Sequence, residues 1–278
     1  MKIGIFAPWG VGDLCLSTCV LVYKDRLWPN SQIIWFVSSE NKDLLRHNPY
    51  VYETREWPFP WAQTKPEWTE ARGDTHGELR PSKLRYAALS DLDCGYFSTP
   101  WLNTSLLYLP FAAIPQRIFG IPDTDPWHPA VYYSKEEEAK ANSMVERCPK
   151  RFNVMIETHC KSGQSLWTAS TTEVVVAECR RSFGDCNFFF ASRNNGRQDG
   201  TDCSSLSARE CIPLYNRMDL FIGCTSGISC VTCSWQANRN VRRIQFCIGK
   251  IGTMNVAFGN EKVAENTEEL KRLIRESK

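Results

Sequence analysis

The chain has no long hydrophobic run. No stretch approaches the roughly 20 apolar residues that a bilayer-spanning helix needs. A secretory leader is not expected either, because Lys2 is followed by a run of only five residues before Pro8. There is also no charge excess: 33 Lys and Arg against 31 Asp and Glu leave a formal net charge of +2. A balance of that kind gives no general pull toward nucleic acid, which is not expected as a partner. Cysteine is plentiful at thirteen, but a second ligand pair is missing. Cys230 and Cys233 form one C-x-x-C, with Cys224 nearby, and neither another such pair nor a close histidine pair accompanies them. No metal site is expected; these side chains read as small buried groups. With no sign of export, the cysteines read as thiols of a cytoplasmic protein.

Apolar strands alternating with helical segments fill two stretches of similar length. In the first, residues 2–7, 32–38 ("QIIWFVS"), 50–53, 92–99 and 116–121 read as strands, with helices predicted at 13–27 and 40–48. In the second, 152–157 ("FNVMIE"), 187–193, 219–224 and 241–249 read as strands. Helices are predicted there at 170–183, at 207–218, in "ISCVTCSWQA" and in the amphipathic tail, where Asn266 caps a face of Leu270, Leu273 and Ile274. Ser134 with Glu137, and Ser207 with Glu210, carry the capping-box spacing. Such alternation predicts an α/β protein of two facing Rossmann-like domains, each a parallel sheet flanked by helices. The proline-rich region near 122–150 joins them, giving domains at 1–145 and 146–278, with the terminal helix free to pack back on the first. A Trp- and Pro-rich insertion at 55–90 interrupts the pattern; its Trp57, Trp61 and Trp68 leave a peripheral membrane contact open.

Two strand-to-helix turns carry chemistry. "PWGVGD", 8–13, places Gly10 and Gly12 before the single acid Asp13. It lacks the G-x-G-x-x-G spacing, and an acid at a helix start would repel a pyrophosphate. Asp13 either caps the helix or takes a proton from a neutral alcohol. "GCTSGIS", 223–229, is small, hydroxyl-rich and uncharged, so Thr225, Ser226 and Gly227 suit a phosphate cradle or an ordinary helix cap. The loop after strand 152–157 adds Thr158, Lys161, Ser162 and Ser165, and a lysine there would neutralise a diphosphate. A base in one half and anion-binding turns in the other suit transfer from a nucleotide-activated donor to an alcohol.

Residues 1–53, with the G-x-G-D turn, "WPN", "IIWFV" and "NPYV" in that order, resemble the opening of the bacterial heptosyltransferase-like family, glycosyltransferase family 9. "LNTSLLYLPFAAIPQRIFGI" and "CSSLSARECIPLYNRMDLFIGCTSGIS" are similar to later segments of that family. The resemblance implies a GT-B fold and inverting transfer without a metal or cofactor. It implies an acceptor held by the first domain and a nucleotide-diphosphate sugar by the second. It makes Asp13 the base, Lys161 the nearest match to a phosphate-binding lysine, and Thr225-Ser226-Gly227 the donor turn. The family's acid in that turn is Thr225 here, and the histidine three residues after its glycine is Cys230; the donor therefore need not be ADP-heptose. The acceptor is expected to be a saccharide or glycolipid. Two alternatives stay open: a nucleotide-sugar epimerase or hydrolase on the same scaffold, and a degenerate transferase that binds a glycan or partner without turnover.

Overall fold

A computed structural model describes residues 1–7, 10–57, 78–79, 91–97, 119–122, 125, 128–149, 151–160, 165, 167–192, 199–247 and 261–278. Lys161, Ser162 and most of the 55–90 insertion lie outside them.

The first sheet has four parallel strands, β1 (Lys2–Phe6), β2 (Gln32–Val37), β3 (Glu53–Glu56) and β5 (Cys94–Phe97). A two-residue antiparallel strand, β4 (Glu78–Leu79), edges it, and the order is β3-β2-β1-β5-β4. β3 starts later than the predicted 50–53 because the chain is still turning there. Asn48 Oδ1 accepts the Tyr50 N–H at 3.0 Å, and the Val51 N–H reaches Asn48 O at 3.3 Å. Residues 119–120 form a turn rather than the end of a strand, with Gly120 at φ +69°, a value no strand accommodates.

The predicted helix at 13–27 is three pieces: α1 (Val11–Ser17), a 3-10 turn (Thr18–Tyr23) and α2 (Lys24–Leu27). Hydroxyls loosen the ladder where α1 ends: Ser17 Oγ donates to Asp13 O at 2.7 Å and Thr18 Oγ1 to Cys15 O at 2.6 Å. The segment at 40–48 is likewise a 3-10 turn, Ser39–Leu45.

The second sheet is wholly parallel, in the order β11-β10-β9-β6-β7-β8. Its strands are β6 (Phe152–Glu157), β7 (Cys186–Phe190), β8 (Thr201–Asp202), β9 (Leu220–Cys224), β10 (Arg242–Phe246) and β11 (Glu261–Ala264). The helices are α3 (Lys135–Glu146), α4 (Ala169–Phe183), α5 (Cys211–Tyr215), α6 (Gly227–Val231) and α7 (Thr267–Arg275). Val154 and Ile156 of β6 pack under α4 and α7 with Val175, Cys179, Leu270, Leu273 and Ile274. Strand alternation turns Met155 and Glu157 to the other face. Gly184, at φ +78°, closes α4, its N–H bonding Arg180 O at 2.9 Å.

Chain contacts divide the molecule between Tyr132 and Tyr133. That is earlier than the boundary drawn at 145/146, because α3 is fastened to the second unit. Buried Arg209 pairs with Glu137, and Lys140 pairs with Glu210 at 2.7 Å. The terminal helix also stays in the second unit. Its apolar face completes that core, and Arg275 Nε meets Glu178 Oε1 at 2.8 Å. Both predicted capping boxes form, Ser134/Glu137 on α3 and Ser207/Glu210 ahead of α5.

Candidate functional site

Doubly wound sheets place ligand sites beyond the carboxyl ends of the strands where the order reverses. In the second sheet that point lies between β6 and β9: the chain runs outward from β6 to β7 and β8, then returns to β9 and runs the other way. In the first sheet the reversal lies between β1 and β5. Both chemistry-bearing turns of the sequence leave these strands.

Asp13 is the third residue of α1, not its cap. The N-cap is Gly10, which has no side chain to offer the first amides, and the Leu14 N–H bonds Gly10 O at 3.0 Å. Gly10 is exposed with an ordinary φ of −61°, and a Cβ there would meet nothing within 4 Å among the described residues. Gly12 and Asp13 are half-buried.

On β9 the turn is built tightly. Ser226 caps α6: its hydroxyl accepts the Ser229 N–H at 3.2 Å, while Ser229 Oγ accepts the Ser226 N–H at 3.0 Å. The Thr225 hydroxyl belongs to the core, accepting from Gln245 Nε2 at 3.1 Å and meeting Cys247 Sγ at 3.0 Å. The two hydroxyls expected to face a ligand therefore also hold the turn in shape. Gly227 begins α6.

α6 ends after five residues, short of the predicted helix, because guanidinium groups take its carbonyls. Arg243 donates to Ser229 O and Thr232 O, at 3.0 and 3.2 Å, and Arg239 to Cys233 O and Ser234 O, at 3.0 and 2.6 Å. Arg243 is buried, pairs with buried Glu261 at 2.8 Å and lies over the rings of Tyr215 and Phe221. Cys224, Cys230 and Cys233 are buried thiols. Among the described residues no three His, Cys, Asp or Glu side chains converge as a metal site.

At the end of β6, the Thr158 hydroxyl lies 3.0 Å from Ser192 Oγ, which also accepts the Thr158 N–H at 3.2 Å. The preceding residue, Glu157, is a functional candidate that sequence reasoning passed over. It is 1% exposed, and burial raises its carboxyl to about 7, against the pull of the His159 N–H and the Ser192 hydroxyl. The available signal was an acid ending an otherwise apolar strand. Trp57, by contrast, is tucked against the body, its ring packed edge-on to Phe6 at 5.3 Å and to Phe36 at 6.3 Å. Trp61 and Trp68 lie outside the described residues. No described helix is long and apolar enough to cross a membrane.

No protein-family model matches the sequence, and no curated protein matches it. Solved structures do match. A glycosyl transferase family 9 protein from Veillonella parvula superimposes with a TM-score of 0.65 at 13% identity, covering 99% of this chain and 89% of that one. E. coli heptosyltransferase WaaC with ADP gives 0.60 at 12% identity, with 100% of each chain covered. A putative UDP-N-acetylglucosamine 2-epimerase from Listeria monocytogenes gives 0.53 at 10% identity, covering 99% and 87%. Heptosyltransferases of family 9 are thus full-length structural neighbours of this chain, and its two parallel sheets flanked by helices match their GT-B fold.

Proposed function

On the premise of a GT-B fold, we propose that the chain is an inverting glycosyltransferase that works without a metal ion. It moves a sugar from a nucleotide-diphosphate donor to a hydroxyl of a saccharide or glycolipid acceptor, in the cytoplasm, where its thirteen thiols stay reduced. The observation that carries the reading is topological. The acid-bearing turn and the small, uncharged turn each leave a central strand at the point where its sheet reverses.

The acceptor hydroxyl gives its proton to Asp13 while its oxygen attacks the anomeric carbon from the face opposite the nucleotide. The bond from that carbon to the diphosphate breaks, and the charge passes to the leaving group. Lys161, Ser162, Thr158 and the Thr225-Ser226-Gly227 turn hold that diphosphate, the lysine and the amides at the helix start taking its charge in place of a divalent ion. Asp13 suits the base role because, as the third residue of α1, it is not the helix cap.

A thermal-stabilisation panel of nucleoside diphosphates and their sugars, on wild type and Ser226→Trp, tests the donor site. A ligand at a hundred times its Kd adds about 2.7 kcal/mol. One nucleotide should stabilise the wild type and not the variant. Asp13→Asn should then keep donor binding while turnover falls by roughly 10²- to 10⁴-fold, and wild-type activity should survive a chelator. Loss of activity on chelation, or full activity of Asp13→Asn, overturns the mechanism. A nucleotide-sugar consumed without any acceptor favours the epimerase or hydrolase, and one bound but never consumed favours a binding protein.

A further inference from the structure

The end of β6 buries a carboxyl group that the fold uses only in part. Glu157 Oε1 accepts the His159 N–H at 3.0 Å, which turns the carboxyl toward the loop leaving the strand. Oε2 is buried and has no hydrogen-bond partner among the described residues. A buried polar atom left in that state carries a desolvation cost that a ligand can remove.

The neighbouring strands set small residues beside it. Gly223 of β9 stands opposite Glu157 in the register, and a Cβ there would clash with the Phe221 ring at 2.7 Å and press to 3.1 Å from Glu157 Cβ. On the other side Ala191 continues β7, its N–H bonding Ile156 O at 3.0 Å. The carboxyl is thus flanked by two of the smallest residues. Among the described residues the side chains that interact with it or lie next to those that do are neutral: the Ser192 and Thr158 hydroxyls, and the Cys211 and Cys224 thiols, both held protonated by burial and by the carboxyl itself. No ion pair to Glu157 forms among the described residues.

This chemistry selects a hydroxyl. A phosphate would bring like charge to the carboxyl, and an apolar group would leave Oε2 unpaired. A carboxyl beside two hydroxyls can both accept from and donate to a polyol. We propose that Glu157 hydrogen-bonds a hydroxyl of the nucleotide-sugar, on its ribose or on the transferred sugar. The hydroxyl-bearing part of the donor then lies over the end of β6, with the diphosphate toward the turn after β9. The assignment rests on the donor-site reading above. It moves Thr158 from the phosphate to the hydroxyl side of the ligand.

The test uses calorimetry on the full chain. The ligands are the nucleoside diphosphate that stabilises the wild type, its sugar conjugate, the 2′-deoxy and mono-deoxy-sugar analogues of these, and inorganic pyrophosphate. Glu157→Ala should weaken the conjugate at least tenfold and leave pyrophosphate within twofold, while Glu157→Gln retains most of the affinity. A loss confined to the conjugate assigns the contact to the transferred sugar. A loss shared by the nucleoside diphosphate assigns it to the ribose, and both outcomes support the proposal. Unchanged affinity for every ligand, or an equal loss for pyrophosphate, overturns it. Should Glu157→Ala not fold, the wild type decides alone: it must bind one of the deoxy analogues at least tenfold more weakly, and equal affinity for all of them overturns the assignment. If no nucleotide binds the wild type at all, the donor-site reading falls, and Glu157's role falls with it.

Discussion

Glu157 makes the stability of the protein depend on pH in an unusual direction for an acid. Its folded-state value of about 7 lies above the ordinary 4.5, chiefly through burial. Between those two values the folded state holds the proton more tightly than the unfolded state does. Stability therefore falls as pH rises through that window, by about 3 kcal/mol for this group, and is fully present only below the unfolded value. Denaturant unfolding of wild type and Glu157→Gln at pH 5 and pH 8 should show the variant gaining on the wild type at the higher pH. Parallel profiles would mean that the carboxyl is solvated. Gly10 offers a second residue-scale test. Its φ of −61° suits any residue, and its Cβ position is open among the described residues. Gly10→Ala should therefore leave stability within about 0.5 kcal/mol. A rise in acceptor KM at unchanged stability would mark close approach of the acceptor at that turn; unchanged kinetics would remove Gly10 from the site.

At the scale of elements, α6 is held at both ends, by the Ser226 capping box at its start and by Arg243 at its finish. The cap and the proposed cradle are therefore the same atoms, and one substitution separates the two roles. Aspartate caps helices as well as serine does, but it sets a negative charge where a diphosphate would sit. Ser226→Asp should keep the melting temperature near that of the wild type and lose at least tenfold in nucleotide affinity. Retained affinity would leave Ser226 as a cap alone. The sequence signals at this scale were mixed. Capping residues were readable because a box is local: Ser134 with Glu137 and Asn266 ahead of Glu269 each satisfy amides within three residues. Helix length was not. α6 stops where Arg243, on β10, takes the Ser229 carbonyl, and α1 gives way to a 3-10 turn where Thr18 also receives the Ala130 N–H at 2.9 Å.

For the whole molecule, the boundary between Tyr132 and Tyr133 has a direct consequence. A fragment of residues 133–278 carries α3 and the complete Arg209–Glu137 pair, whereas one beginning at 146 removes Glu137 from buried Arg209. Removing one partner of a buried pair costs about 3–5 kcal/mol. Circular dichroism should show cooperative melting for the longer fragment and a much lower melting temperature, or none, for the shorter. Equal melting of the two would show that α3 is dispensable to the second unit.

Most of the strands and helices, though not the short edge strands β4, β8 and β11, follow from the sequence alone, as do the apolar faces and the caps, because periodicity and capping are set by residues a few positions apart. So does the placing of Asp13 and the Thr225–Gly227 turn at strand ends. The strand order had to wait for the tertiary structure, and with it the pairing of β6 beside β9 that brings the loop after Glu157 next to that turn. The same is true of the place of the Thr225 hydroxyl in the core, against Gln245 and Cys247, and of the attachment of α3 and α7 to the second unit. Burial also decided Glu157: an acid at the end of an apolar strand reads as a solvated terminus until Gly223 and Ala191 are seen on either side of it. Each of these rests on contacts between residues far apart in the chain, which no local pattern encodes.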